Sequence, residues 1–312
     1  MTDKSTATTL DESPDGHESQ YLAIASGNRG CGCTSHTTDP AELPADILAA
    51  NDRPQSLSYV YAIGRVDPRF PSISVEKEFV QVCAHIDSSG MSDRQLYFNV
   101  LSKREYRYLA RQLCWVFAVQ GLDTYIIMPR DLTDFDILIE AIREVPGSQD
   151  TDVAIGTLGP IAPPQMCNGL TLPIVVFDQL YSFSRDALIK AIPVPEGSTE
   201  KQFRPVAEEV FERLTLIRDN TGSTPPHRAL NYLAMRYPAI YSKTAQQFSL
   251  DYSLSSVEVR ESPINGGRAL VDVIFGYVHR KFGTTEQYFV RVDVTDEFPF
   301  LAKKLSPFYD RT

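Results

Sequence analysis

The chain has 312 residues, of which 43% are hydrophobic, 22% charged and 10% aromatic, with a formal charge of −10 at pH 7. That much apolar material can bury a core without disulfides or metal as its main support. The acidic balance argues against a partner that is nucleic acid or an anionic membrane, since both need basic patches.

Residues 1–57 hold nine acidic and three basic side chains, more than half of the net charge in under a fifth of the chain. They are rich in Thr, Ser, Asp, Pro and Gly, and their apolar residues follow no helix or strand period, which reads as an acidic tail. No apolar stretch at the N-terminus resembles an export signal, so a cytoplasmic, reducing compartment is expected. There, metal binding or plain burial of the five cysteines is expected over disulfides.

From Leu57 onward the pattern becomes globular. LSYVYAIGRV (57–66) reads as a strand and VEKEFVQVCAHI (75–86) as an amphipathic helix. Ser102 and Glu105 have capping-box spacing, ahead of an apolar helical pattern running through YRYLARQLCWVFAVQ. TYIIM (124–128) reads as a buried strand, TDFDILIEAIRE (133–144) as a helix, and DVAIGTL and LPIVVFDQL as two more strands. Val153 to Phe177 carries no charge over 25 residues. Its four prolines exclude a spanning helix. Strands alternating with helices give an α/β domain over 58–196, a mixed sheet with flanking helices.

The remainder, 197–312, has α+β character. A long amphipathic helix is expected over 198–220, then helices over 226–237 and 238–252. SSVEVRESPI and GRALVDVIFGYVH flank Asn265-Gly266, a β-hairpin signal, and EQYFVRVDV supplies a third strand of an antiparallel meander. FPFLAKKL is expected to close the chain as a helix.

Familiar catalytic signatures are absent: there is no GxSxG elbow, P-loop or HExxH motif. Cys31 and Cys33 form a CxC between glycines, with His36 three residues on. Two thiolates facing one soft cation would suit Zn²⁺, which needs further ligands from the globular part. Cys167, on a Pro- and Gly-rich turn, is the best candidate, and Cys114 a fourth. Unmetallated thiols are the competing reading, with Cys114 a buried inert thiol on a helix. Cys83 and His85 fall on different helical faces and read as packing residues, and His227 as a cap or surface residue. Asp293, Asp296 and Glu297 could bind a cation or do acid–base work, or could cap the helix expected after them.

Five blocks resemble the C-terminal domain of the cyanobactin maturation proteases, the PatA/PatG family, over about residues 58–311. They are YVYAIGRVDPRFP, RYLARQLCWVFAVQGLDTYIIMPRD, IGTLGPIAPPQMCNGLTLPIVVFDQLYSFSRDALIKAIP, HRALNYLAMRYPAIY and FVRVDVTDEFPFLAKKLSPFYDR. In that family the domain follows a subtilisin-like protease and has no assigned reaction. No subtilisin-type Asp, His and Ser motifs occur here, so protease activity is not carried over. The resemblance implies a non-catalytic accessory module, a homodimer binding a precursor peptide or a peptide-modifying enzyme. The alternative is a metal-dependent enzyme acting on such a peptide or on a small molecule.

Overall fold

A computed structural model describes residues 57–86, 89–144, 150–195, 199–217, 219–263 and 266–309. The acidic segment with Cys31 and Cys33 lies outside them.

Five strands close a barrel: β1 (Tyr59–Arg69), β2 (Cys114–Val119), β3 (Leu122–Pro129), β4 (Asp150–Ile161) and β5 (Pro173–Ser184). Their order around the barrel is β1-β2-β3-β5-β4, with β3 and β5 parallel and every other pair antiparallel. β2 and β3 join through Gln120 and Gly121, both at positive φ, the backbone that a two-residue hairpin turn demands. Between β1 and β2 lie α1 (Ile73–Cys83), α2 (Asp93–Leu101) and α3 (Arg107–Gln112), and α4 (Phe135–Ala141) links β3 to β4.

Two expectations fail here for physical reasons. The capping box belongs to Ser92 and Gln95, which open α2. Ser102 ends that helix, its hydroxyl donating to the Phe98 carbonyl at 2.6 Å. The helix expected through YRYLARQLCWVFAVQ stops at Gln112, and Cys114–Val119 is a strand with all six residues buried. A run that is apolar at every position shows no period, so burial on both faces decides its conformation.

After α5 (Arg185–Ala191) come three helices, α6 (Glu200–Thr215), α7 (Pro225–Arg236) and α8 (Ala239–Ser249). They cover an antiparallel sheet ordered β6 (Tyr252–Glu261), β7 (Leu270–His279), β8 (Thr285–Asp293) and β9 (Phe300–Pro307). The expected hairpin is present, with Glu261 opposite Val271. FPFLAKKL, however, is the fourth strand of the meander rather than a helix. The strand's eight residues lie along the side of β8 that β7 leaves free, and that neighbour decides for strand. As a strand they pair with β8, bury part of Leu301 and Leu305 against the core, and let the Leu305 amide donate to the Tyr237 hydroxyl at 2.9 Å.

The two cores meet along α7 and the loop before it. The Tyr61 amide donates to the Gly222 carbonyl at 2.9 Å, and Asn231 Nδ2 donates to the Tyr61 carbonyl at 2.7 Å. Asn220 and Asn231 pair their buried amides at 2.8 Å behind that contact.

Candidate functional site

Where the barrel meets the β8–β9 connection, five elements bring polar side chains together. Tyr59 comes from the start of β1, Arg130 from the end of β3 and Asp178 from β5. His227 and Arg228 lie in the first turn of α7, and Asp296 and Glu297 follow β8. Thr224 caps α7, its hydroxyl accepting from the His227 amide at 3.3 Å, and this sets the helix start that presents both side chains.

Arg130 holds Asp178 through a two-pronged pair, Nε to Oδ1 at 2.5 Å and Nη2 to Oδ2 at 2.7 Å. That hydrogen-bonded guanidinium keeps Asp178 below the usual carboxylate range. Glu297 goes the other way. Burial, and then its hydrogen bond to the charged Asp178, push it up to about 7. The pair therefore shares a proton, with Glu297 donating to ionised Asp178 near neutrality.

Arg228 anchors the other side. Its Nη1 donates to the Val294 carbonyl at 2.6 Å, and Nη2 donates to the carbonyls of Asp296 and, at 2.9 Å, Glu297. Its guanidinium stands 5.4 Å from the Tyr59 ring centre. Burial lowers it to about 10, which still leaves it charged. Among the described residues, four buried side-chain polar atoms lack a hydrogen-bond partner, and three are here: His227 Nδ1, Arg228 Nε and Glu297 Oε1. Burial also lowers the His227 imidazole, so it is neutral at pH 7.

The raised Glu297 carboxyl has a definite consequence for stability. A folded value above the unfolded 4.5 means that its contribution is complete below about 4.5 and is lost as pH rises through about 7. Glu297→Gln should remove a fall in urea-unfolding free energy between pH 5 and 8 on the order of 1 kcal/mol, discounted for partial exposure. An unchanged pH slope in the variant would contradict the shared proton.

A second polar network locks β1, β4 and β5 to the helices. Asp152 is 1% exposed. It accepts from the Val66 amide at 2.7 Å and the Ser182 hydroxyl at 2.5 Å. β1 pairs with β4 only as far as Gly64, so the carboxylate serves the Val66 amide beyond the end of that ladder. Burial pushes Asp152 up to about 6, against the hydrogen bonds and the Arg94 guanidinium 4.0 Å away. Arg94 also donates to the carbonyls of Val66 and Ala141, at 2.5 and 2.7 Å. Asp152→Ala should cost about 3 kcal/mol in urea unfolding, because it leaves buried donors unpaired. A loss below about 1 kcal/mol would contradict that role.

Cys114 opens β2, rather than sitting on a helix, and Cys167 follows a 3-10 turn (Pro164–Met166) in the β4–β5 connection. The structure brings them together as a disulfide, Cα to Cα 5.8 Å, both nearly fully buried. This departs from the expectation of unpaired cysteines, because the connection folds back over Val116 and Ile126 and stacks the two residues there. The expected ligands Cys31 and Cys33 lie outside the described residues. Among the described residues, no group of three or more His, Cys, Asp or Glu side chains could hold a metal. Cys83 is the free cysteine among them, its thiol pushed up by burial, and His85 two residues on is exposed.

The acidic trio separates. No helix follows it, so capping does not explain it. Asp293 is buried and accepts from the Thr295 amide at 3.0 Å and hydroxyl at 2.6 Å, with Arg268 at 3.2 Å. Glu297 joins the proton-sharing pair. The sequence reading missed Arg130, Asp178 and Arg228, which sit on separate elements and form no motif.

Strand order and the single parallel pair make the barrel a five-stranded Greek key of the kind seen in OB-folds. The face of strands 2 and 3, which such barrels use for ligands, is covered here by Ala162, Met166 and Cys167. No described helix is long and apolar enough to cross a membrane.

No curated protein matches the chain. Residues 197–308 match the family described as PatG C-terminal. The structure is similar to a solved structure described as "PatG Domain of Unknown Function", with a TM-score of 0.65 and 19% identity, over 80% of this chain and 98% of that one. Residues 197–308 are therefore similar to the PatG C-terminal family, and the chain has the fold of the PatG domain of unknown function.

Proposed function

We propose that this chain is a non-catalytic binding module in the maturation of a ribosomally synthesised, post-translationally modified peptide of the cyanobactin kind. It engages the precursor peptide or a modifying enzyme, as a homodimer in the cytoplasm. The observation that supports the reading is the outer edge of the second sheet: among the described residues β9 pairs with β8 alone and exposes Phe300, Lys303 and Lys304, with its Leu305 amide held by the Tyr237 hydroxyl. A partly free edge with mixed apolar and basic side chains suits strand addition by an extended peptide near its exposed residues. Calorimetry against the precursor and the modifying enzymes encoded beside this chain tests it, and no heat with any of them rejects it.

The proton-sharing Asp178–Glu297 pair favours the enzyme reading to a lesser degree, since carboxyls with separated pKa values suit acid–base work. A precursor mass change that needs this chain, and is lost in Glu297→Gln with the fold intact, would reverse the preference. The zinc proposal rests on cysteine chemistry. Reduced Cys114 and Cys167 would supply two neighbouring thiolates, and Cys31 and Cys33 two more, for a closed structural site. Reductively purified protein should then hold about one zinc per chain, lost in Cys167→Ser.

A further inference from the structure

Among the described residues, half of β5 is unpaired on one side. β3 runs beside β5 from Ile126 opposite Ile174 to Pro129 opposite Phe177, and then leaves the sheet. β5 continues to Ser184, paired on its other side with β4 through Asp150. A cavity of about 390 Å³ is lined by every residue from Leu180 to Ser184 and by Ile137, Glu140, Ala141 and Arg143. Successive residues of a strand point to opposite faces, so a cavity on one face would touch alternate residues only. Leu180 indeed packs into the barrel core, while Tyr181 and Phe183 pack toward Tyr232 and Met235 of α7. A cavity that meets all five in a row runs along the backbone edge. Since β4 occupies one edge, the cavity lies along the other.

We propose that this groove, between the free edge of β5 and α4, takes an extended, uncharged peptide segment of a partner as an added strand. The proposal rests on the binding-module reading above and gives it an address in the barrel. Among the described residues, the backbone of Leu180–Phe183 makes no hydrogen bond outside the β4 ladder, so its outward N–H and C=O groups suit another backbone. Charge selects the segment: Glu140 and Arg143 on the α4 side are paired to each other at 3.0 Å, leaving a wall without net charge. Five residues of edge span roughly 16 Å, enough to align four or five residues of a partner strand.

The test uses the full chain and the peptide acetyl-Lys-Thr-Val-Thr-Val-Thr-Lys-amide, with an analogue N-methylated at alternate residues. Hydrogen exchange should show new protection at 180–184 with the parent peptide. The analogue, lacking the donors for one ladder, should bind at least tenfold more weakly, as should the parent to Ile137→Trp. Ile137 is 38% exposed, so its replacement narrows the groove without emptying a core. The proposal is overturned if the parent peptide fails to bind, if the analogue binds equally, or if protection appears elsewhere. It is also overturned if protection of 180–184 rises with protein concentration alone, which would make a second copy the occupant. Precursor binding that survives Ile137→Trp unchanged would sink this groove and leave the binding-module reading standing.

Discussion

Arg228→Ala is expected to be among the most damaging single substitutions in this protein, lowering the unfolding free energy by about 3–5 kcal/mol. Arg228 is 4% exposed, and its guanidinium serves three carbonyls, those of Val294, Asp296 and Glu297. Deleting it strands the buried Val294 carbonyl, at about 1–3 kcal/mol, and frees the half-buried carbonyls of Asp296 and Glu297 that hold the β8–β9 connection in place. Arg228→Lys should recover only part of the loss, because an ammonium cannot span the carbonyls that a planar fork reaches together. Urea unfolding gives the magnitude, and hydrogen exchange at 294–299 gives the location. A loss below 1 kcal/mol, or exchange unchanged there, would show that the connection is held by something else.

Gly222→Ala should cost about 2–5 kcal/mol, from two sources that act together. Gly222 has φ +81°, where an L side chain costs about 1–2 kcal/mol. A methyl there would also meet the Tyr61 carbonyl and come within 2.7 Å of Ala62 Cα, both backbone atoms of β1 that cannot swing aside. Overpacking of that kind adds about 1–3 kcal/mol. Gly90→Ala is the control, because Gly90 has φ +78° and nothing within 4 Å of a new methyl. It should lose only the conformational part. Equal urea midpoints for the two variants would mean that the close approach of loop to β1 does not matter.

These two sites show how unevenly the fold is legible in the residues. The strand around Tyr59–Val66, the buried strands TYIIM and LPIVVFDQL, and the helix over Glu200–Thr215 announce themselves through period, capping and flanking turns. Asn265-Gly266 marks its hairpin for the same local reason. CWVFAV and FPFLAKKL mislead because both are short, and one is apolar throughout. Nothing local distinguishes strand from helix there, and neighbouring strands decide. Glu297 stood out as part of an acidic run, yet its partners Asp178 and Arg130 are 119 and 167 residues away. No spacing rule reaches so far.

The sequence by itself determined the acidic charge, the α/β then α+β order of elements, the hairpin of β6 and β7 and the resemblance to the PatG C-terminal region. The elements rest on local propensity and periodicity, which each segment carries alone, the charge on composition, and the family relation on the resemblance of whole sequence blocks. Tertiary structure alone decided that five strands close into a barrel and that Cys114 meets Cys167. It also decided that Arg228 clasps the β8–β9 connection and that half of β5 keeps a free edge. Each of these depends on which distant backbone comes to lie alongside, and that is settled by burying the two cores together rather than by any residue's neighbours in the chain.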